Sequence, residues 1–293
     1  MIKKILISLI VLATISYAAM LNYKYNYDDS ICGIMSRSAG LIIGGKHSSR
    51  SQFPWMAVIA VKNNKHWTHQ GSGSLISSRH VLSYVGTVSY PDVNNKWISV
   101  SADRVEVFLG VTNKNDLKKL ESWTKVGVSK IVEHPNAKML IKSMTINKIA
   151  ILTLAHEVTF SEFIRPVCLW PFTEDFIGKN AFAVGYGRDE TGRKTLNRKH
   201  VHVTIIDQKK CEKFYNKEFQ IANETKLFCT IGDGDSGPCI YDDMLYIKVN
   251  AHWYLKGILT TSYVFDDGSC VTDRPTLYED ITPIISWIID QMK

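Results

Sequence analysis

The chain has 293 residues, 45% of them hydrophobic and 22% charged, and a formal charge of +7. This length permits one large β domain or two small ones with a sizeable core. The positive charge is modest and spread along the chain, and short basic clusters such as Lys118-Lys119 and Lys209-Lys210 are typical of solvated faces. We therefore expect no nucleic-acid partner.

The N-terminus has the parts of a secretory signal peptide. Lys3 and Lys4 precede an apolar run at positions 5 to 15, and Ala18 and Ala19 supply the small residues of a cleavage site. The run is shorter than the ~20 residues that span a bilayer, and no later segment is long and apolar enough to do so. We expect residues 1–19 to be removed and the chain to be secreted, without a membrane partner; an N-terminal anchor is the alternative.

The segment after the signal peptide, residues 20–41, is polar and aromatic and too short for a domain, so we interpret it as a tether or pro-segment. Beyond it, short β-rich runs alternate with turn residues, which is typical of an all-β barrel or sandwich. The predicted strands are Met56–Val61, Gly73–Ile76, Val105–Leu109, Ile149–Leu154, Ala181–Val184, Val201–Ile205 and Gly257–Thr261. At the end of the chain, apolar residues recur at helical spacing and predict an amphipathic helix. They are Ile281, Ile284, Ile285, Ile288, Ile289 and Met292.

The cysteines form an even set of six: Cys32, Cys168, Cys211, Cys229, Cys239 and Cys270. In an exported chain such a set favours disulfides over metal ligands, and no Cys-x-x-Cys pair is present. Six cysteines allow many connectivities, and spacing alone does not choose among them. The one Asn-x-Ser/Thr sequon, at Asn223, predicts an N-glycan on the surface.

Several motifs, in a fixed order, resemble those of the trypsin-like serine proteases, the peptidase S1 family. They are Ile42-Ile43-Gly44-Gly45, Phe53-Pro54-Trp55, Gly73-Ser74-Leu75-Ile76, Ile164-Arg165-Pro166-Val167-Cys168-Leu169, Val184-Gly185-Tyr186-Gly187, Gly234-Asp235-Ser236-Gly237 and Trp287-Ile288. Two further runs, Leu169-Trp170 and Trp253 to Ile258, are most similar to insect serine proteases and their inactive homologs.

The resemblance implies an all-β fold of two six-stranded antiparallel β-barrels, chymotrypsin-like, with a C-terminal α-helix. A peptidase S1-like domain would then occupy residues 42–293. The resemblance also implies the disulfides Cys32–Cys168 and Cys211–Cys229. It leaves Cys239 and Cys270 over and does not assign their pairing, because the family's partner of the Cys270 position lies before the nucleophile. We expect neither a cofactor nor a metal.

The family's catalysis needs a serine nucleophile, a histidine that takes its proton and an aspartate that orients the histidine. The family's histidine lies in a Thr-Ala-Ala-His-Cys segment after a Val-Leu pair. Here Val81-Leu82 is followed by Ser83 to Thr87, which places Gly86 at the histidine position. Thr87 and Gly71 stand where the family has a disulfide, and the loss of both halves supports this alignment. Glycine cannot accept a proton.

The family's aspartate lies in an Asn-Asp-Ile-Ala-Leu-Leu strand, whereas this chain has Asn147-Lys148 followed by Ile149 to Leu152. Lys148 therefore inverts the charge at the aspartate position, where even a neutral substitution costs about 10⁴-fold in rate. Ser236 is retained, and Gly234 and Asp235 before it form a remnant of the oxyanion loop. A serine without its base is a weak nucleophile.

Two other features depart from the family. Only six residues separate Cys229 from Ser236, and Thr276 replaces a glycine of the pocket wall, so we expect a small or closed S1 pocket. Leu41 precedes Ile42 and the nearest basic residue is Arg37, so a trypsin-like activator has no matching cleavage site.

Other side chains offer an unorthodox base for Ser236. His66, His69 and His80 precede Gly86 in the same region, and Lys148 has precedent in Ser-Lys enzymes. We interpret the histidines, including His134, as structural or exposed side chains. Lys148 would need a lowered pKa and contact with Ser236 to act as a base.

The sequence thus predicts a secreted, non-catalytic serine protease homolog that acts by protein binding. By resemblance, its partner would be a protease, zymogen or inhibitor of an extracellular cascade such as prophenoloxidase activation in innate immunity, or the protein would be a venom component. The alternative is a weakly active serine endopeptidase that uses Ser236 with a non-standard base.

Overall fold

A computed structural model describes most of the chain beyond the N-terminal segment. The described residues are 30–36, 49–63, 66–94, 97–118, 123–141, 144–169, 176–186, 193, 195–221, 226–232, 237–238, 243–263, 265 and 271–293. Three predicted segments lie wholly or partly outside these ranges. They are the signal peptide, residues 20–29 and 37–41 of the tether, and the start of the domain at Ile42.

Six antiparallel strands form a closed first barrel. The strands and hairpins of this half, in chain order, are β1 (Met56–Asn63), β2 (His66–Leu75), β3 (His80–Tyr84), β4 (Ser89–Pro91), β5 (Trp97–Ser99), β6 (Val105–Leu109), β7 (Thr124–Glu133), β8 (Lys138–Ile141), β9 (Met144–Ile146) and β10 (Ile149–Leu154). The order around the barrel is β1, β2, β3, β10, β7, β6, and β6 pairs with β1 to close it. The other four strands form two hairpins, β4–β5 and β8–β9.

A second barrel follows. Its strands are β11 (Cys168–Leu169), β12 (Asn180–Gly185), β13 (Lys199–Ile206), β14 (Leu227–Ile231), β15 (Met244–Val249), β16 (His252–Thr261) and β17 (Thr276–Asp280). The order β16, β15, β12, β13, β14, β17 is closed by the pairing of β17 with β16, and the short β11 adds to β16 in parallel. The predicted architecture of two six-stranded antiparallel barrels is confirmed.

The predicted C-terminal helix is also confirmed. A 3₁₀ turn, Thr282–Ile284, leads into the helix Ile285–Gln291. Ile281 and Ile288 are buried in the main hydrophobic core, which is why the periodic isoleucines keep one face of the helix on the barrels.

A second helix, α1 (Gln208–Ile221), precedes this C-terminal helix, which is therefore named α2, and the strand pattern did not predict it. Helix α1 begins after Asp207, whose carboxylate accepts a hydrogen bond from the backbone N–H of Lys209 at 2.8 Å, as N-cap residues do. Cys211 in its first turn forms a disulfide with Cys229 of β14. None of the described helices is long and apolar enough to cross a membrane.

The described part of the tether is bound to the second barrel. Gly33 donates its backbone N–H to the carbonyl of Pro166 at 2.8 Å and accepts the N–H of Trp253 at 2.9 Å. Its φ is 65°, and a Cβ there would lie 2.6 Å from the backbone nitrogen of Trp253, so only glycine fits. The neighbouring Cys32 forms a disulfide with Cys168.

The two barrels pack against each other through a shared core that includes Met56 and Leu75 of the first barrel and Tyr246 of the second. The hydroxyls of Ser74 and Tyr246 lie 2.6 Å apart across this boundary. The turn before β1 is held by the buried guanidinium of Arg198, which donates to the carbonyls of Ser49 at 2.8 Å and Gln52 at 2.5 Å.

Candidate functional site

The pairing of β3 with β10 brings Gly86 and Lys148, the positions at which the sequence predicts replaced triad residues, onto adjacent segments. Tyr84 lies opposite Ile149 in the strand register, and the backbone N–H of Val85 donates to the carbonyl of Lys148 at 2.7 Å. Gly86 follows in a 3₁₀ turn, Val85–Thr87. Gly86 and Lys148 therefore lie close together in the fold.

The ring of Tyr84 lies where a side chain at position 86 would need to be. A Cβ built on Gly86 would lie 2.8 Å from Cζ and 3.0 Å from Oη of Tyr84, and closer still to Cε1. Non-bonded heavy atoms do not approach so closely unless one of them moves, although both residues are only half-buried. An imidazole at position 86 would therefore require displacement of the tyrosine ring.

Lys148 is directed into the interior rather than to solvent. The residue is 2% exposed, and its Nζ donates a hydrogen bond to the carbonyl of Leu259 in β16. The same Nζ lies 5.6 Å from the centroid of the Tyr84 ring, within the range of a cation–π contact. Nζ of Lys148 is thus held by a carbonyl of the second barrel, to which it acts as a hydrogen-bond donor.

A buried carboxylate from the second barrel accompanies Lys148. Glu279 of β17 accepts the backbone N–H of Asn147 at 2.8 Å and that of Lys148 at 3.4 Å. Burial raises the pKa of Glu279 to about 7, and the positive charge of Lys148 opposes that rise. Asn147 has a φ of 48°, a conformation that asparagine tolerates better than most residues.

These contacts form one group, Tyr84, Gly86, Asn147-Lys148, Leu259 and Glu279, which we call the replaced-triad cluster. Its first three members belong to the first barrel, and Leu259 and Glu279 belong to the second. Glu279 thus brings a buried carboxyl group from the second barrel to the backbone of Asn147-Lys148. The arrangement joins the barrels and offers no imidazole or carboxylate for general-base catalysis at positions 86 and 148.

Several predicted site residues lie outside the described ranges: Gly234, Asp235, Ser236, Asn223, Cys239 and Cys270. Arg37 and Leu41, the residues considered for activation cleavage, also lie outside the described ranges.

The histidines considered as substitute bases are in different surroundings. Nδ1 of His80 lies 2.8 Å from the hydroxyl of Ser77, and His80 is at the opposite end of β3 from Tyr84. The ring of His134 lies 4.7 Å from that of Trp287 in an edge-to-face contact. His66 and His69 lie on β2, and their side chains are outside the described part of the structure.

The structure contains the two disulfides that the resemblance implied. Cys32 and Cys168 have Cα atoms 4.9 Å apart, and Cys211 and Cys229 have Cα atoms 5.6 Å apart. His252 brings a ring nitrogen within 4.8 Å of the sulfurs of Cys32 and Cys168. Because those sulfurs are bonded to each other, the three residues do not fit a metal site, which needs free thiolates.

Sequence reasoning missed Tyr84 and Glu279. A signal for Glu279 existed, because a lysine at the start of an apolar strand is rarely buried without a counter-charge. Glu279 is 132 positions from Asn147 and 131 positions from Lys148 along the chain, so no local pattern reveals these contacts. For Tyr84, the Tyr-x-Gly spacing is compatible with many local arrangements.

Comparison with known proteins matches residues 42–288 to the family model described as Trypsin. The "Proclotting enzyme" of Tachypleus tridentatus is 28% identical over 272 residues, which cover 89% of this chain and 69% of that protein. "CLIP domain-containing serine protease B9" of Anopheles gambiae is 25% identical, with 89% of this chain and 65% of the relative covered. "Phenoloxidase-activating factor 3" of Holotrichia diomphalia is 24% identical, and the match covers 89% of this chain and 74% of that protein.

Proposed function

The chain belongs to the trypsin family, and from this premise we propose that it is a secreted member that does not cleave peptide bonds and acts by binding a protein. Domain 42–293 would carry this function, after removal of residues 1–19 and with residues 20–41 as a tether.

The observation that carries the proposal is the replaced-triad cluster. Position 86 has no side chain and its space is taken by Tyr84, while Lys148 donates its ammonium to the carbonyl of Leu259. Both features support the loss of the proton relay that a serine nucleophile requires. They also weigh against a weakly active enzyme in which Lys148 serves as the base for Ser236.

Secretion is supported by the N-terminal pattern and by two disulfides, which persist mainly in oxidising extracellular compartments. An N-glycan at Asn223 would be compatible with the same route. The names of the relatives include a proclotting enzyme and a phenoloxidase-activating factor. We therefore propose a partner from an extracellular protease cascade such as prophenoloxidase activation: a protease, a zymogen or an inhibitor. A venom role rests on resemblance alone.

The hairpin β4–β5 is the surface that we assign to this partner, because it follows the Gly86 turn and presents apolar side chains to solvent. Val93 is 98% exposed at the tip, and Tyr90 and Ile98 are exposed and directly opposite each other across the two strands. Ser99 of β5 donates to Glu133 of β7 at 2.6 Å, and Ser89 of β4 donates to the same carboxylate oxygen. Exposed apolar groups on an anchored element are typical of protein contact sites.

The test is affinity capture from the native extracellular fluid, with identification by mass spectrometry. The intact protein should recover a protease, zymogen or serine protease inhibitor, and a variant with Tyr90→Ser and Val93→Ser should recover much less of it. Phe265→Ser, which changes an exposed aromatic residue outside the hairpin, is the matched control. Equal recovery by the hairpin variant and the wild type would reject the assigned surface, and recovery of no such protein would reject the partner class.

A further inference from the structure

A cavity of about 560 Å³ lies between the first barrel and helix α2, away from the replaced-triad cluster. The turn Ser77 to His80, Lys130 of β7 and Thr153 of β10 line one side. Ile289 and Met292 line the other side. Because β3 runs from His80 to Tyr84 at about 3.3 Å per residue, the cavity begins about 13 Å from the Gly86 turn.

Two cations of this cavity have no anionic partner among the described residues. Arg79 donates Nε to the carbonyl of Leu154 at 3.2 Å, and no ion pair involves its guanidinium. Lys130 forms no described ion pair or side-chain hydrogen bond. Glu157 is the one acidic residue that lines the cavity, and no ion pair joins it to either cation. Lys293 also lines the cavity, but its Nζ pairs with Asp290 at 2.6 Å.

The third positive or potentially positive group is His80. The residue is 9% exposed, and its Nδ1 lies 2.8 Å from Ser77 Oγ, so Nε2 is the ring nitrogen left for a ligand. Burial, Arg79 and Lys130, in that order of effect, lower the pKa of His80. Arg79 and Lys130 therefore disfavour the protonated form of the ring, and both residues line the cavity beside His80.

Hydroxyl groups complete the lining. Ser78 and Thr153 reach the same cavity as the cations, and the side-chain hydroxyls of both have no described hydrogen-bond partner. A guanidinium, an ammonium and hydroxyl donors around one space are the groups that bind tetrahedral oxyanions.

We propose that this cavity binds the sulfate or phosphate ester group of an extracellular ligand, with Arg79 and Lys130 as the charged contacts and Nε2 of His80 as a donor. The site is separate from the replaced-triad cluster, so it does not depend on the loss of catalysis. Apart from the three contact residues, the charged residues that line the cavity are Glu157 and Lys293, and Lys293 pairs with Asp290. Binding should strengthen as pH falls, because a protonated imidazole adds a third positive charge.

The test is isothermal titration of the full-length secreted protein at low ionic strength, where such contacts are least screened. A heparin-derived oligosaccharide probes the sulfate ester, and inositol hexakisphosphate probes the phosphate ester. Arg79→Gln combined with Lys130→Gln should weaken binding about tenfold or more, since both charged hydrogen bonds to the ligand are lost. The matched control is Lys209→Gln combined with Lys210→Gln, which removes the same charge from the exposed start of α1.

A second readout is the pKa of His80 measured by NMR, which saturating probe should raise in the wild type and leave unchanged in the Arg79/Lys130 variant. Tighter binding of the oligosaccharide would assign a sulfated glycan, and tighter binding of the inositol phosphate would assign a phosphate ester. Failure of both probes to bind, or equal binding by the Arg79/Lys130 variant and the wild type, would overturn the proposal. So would an equal loss in the Lys209/Lys210 control, because it would show a general effect of charge.

Discussion

The phenol ring of Tyr84 occupies the space beside Gly86 that a side chain at position 86 would need, with Cζ only 2.8 Å from the position of a built Cβ. Two residues of one short segment are thus matched to each other: the ring is accommodated because the glycine lacks a side chain. A histidine at position 86, as the family alignment predicts for an active member, would therefore require the Tyr84 ring to move.

This arrangement predicts that Gly86→Ala destabilises the protein. Overpacking of a filled core costs about 1–3 kcal/mol, so at this half-buried site we expect a loss of about 1 kcal/mol in the free energy of unfolding, measured by urea denaturation. Gly127→Ala is the matched control, because its nearest neighbour to a built Cβ is 4.0 Å away. In a Tyr84→Ala background, Gly86→Ala should cost much less. An equal cost in both backgrounds would show that Tyr84 is not the cause.

Removal of the Lys148 side chain should also destabilise the fold. Lys148→Met removes the hydrogen bond to the buried carbonyl of Leu259 and the positive charge that opposes the rise in the pKa of Glu279, and leaving such a buried partner unsatisfied costs about 1–3 kcal/mol. Adding Glu279→Gln, which keeps an acceptor for the N–H of Asn147, should recover part of the loss, so the double variant is less destabilised than the sum of the single ones. Lys209→Met, on an exposed helix position, should change stability by less than about 0.5 kcal/mol. Strict additivity of the two changes would contradict the contact.

The raised pKa of Glu279 predicts a pH dependence. A carboxyl whose pKa is about 7 in the folded protein, against an ordinary value of 4.5, binds more protons when folded. The contribution of Glu279 to the free energy of unfolding is therefore greatest below pH 4.5 and is lost as pH rises to about 7. Relative to Glu279→Gln, the wild type should lose on the order of 3 kcal/mol over that window. Parallel stability curves for the two proteins would rule out the shift.

The two disulfides should differ in their contributions. Cys32–Cys168 closes a separation of 136 residues and Cys211–Cys229 one of 18. The chain-entropy model gives about 5 kcal/mol for the first and about 3 for the second. Replacing both cysteines of each pair by alanine, and comparing unfolding free energies at fixed pH, checks this order. A larger loss from the shorter loop would show that local strain or packing outweighs chain entropy here.

The architecture was predictable because its signals are local and repeated. Ile149–Leu154 and Val105–Leu109 were predicted with the bounds that the structure shows, since each is an apolar run whose side chains are mostly buried. Helix α1 was not predicted, because its sequence is mostly polar and its stability depends on the Asp207 cap and the Cys211–Cys229 bond. Resemblance pointed to Gly86 and Lys148, but the position of the Tyr84 ring follows only from the local turn geometry, and Glu279 only from the packing of the two barrels.

The most direct test of the account is covalent labelling of the purified secreted protein with a fluorophosphonate, which reacts with activated serines. We predict no labelling of Ser236 above the level of a Ser236→Ala variant, before or after limited trypsin treatment, because neither Gly86 nor Lys148 supplies a base. An active trypsin-family protease labelled in parallel shows that the reagent works. Labelling of the wild type that disappears in Ser236→Ala would contradict the central claim and show a functional serine nucleophile.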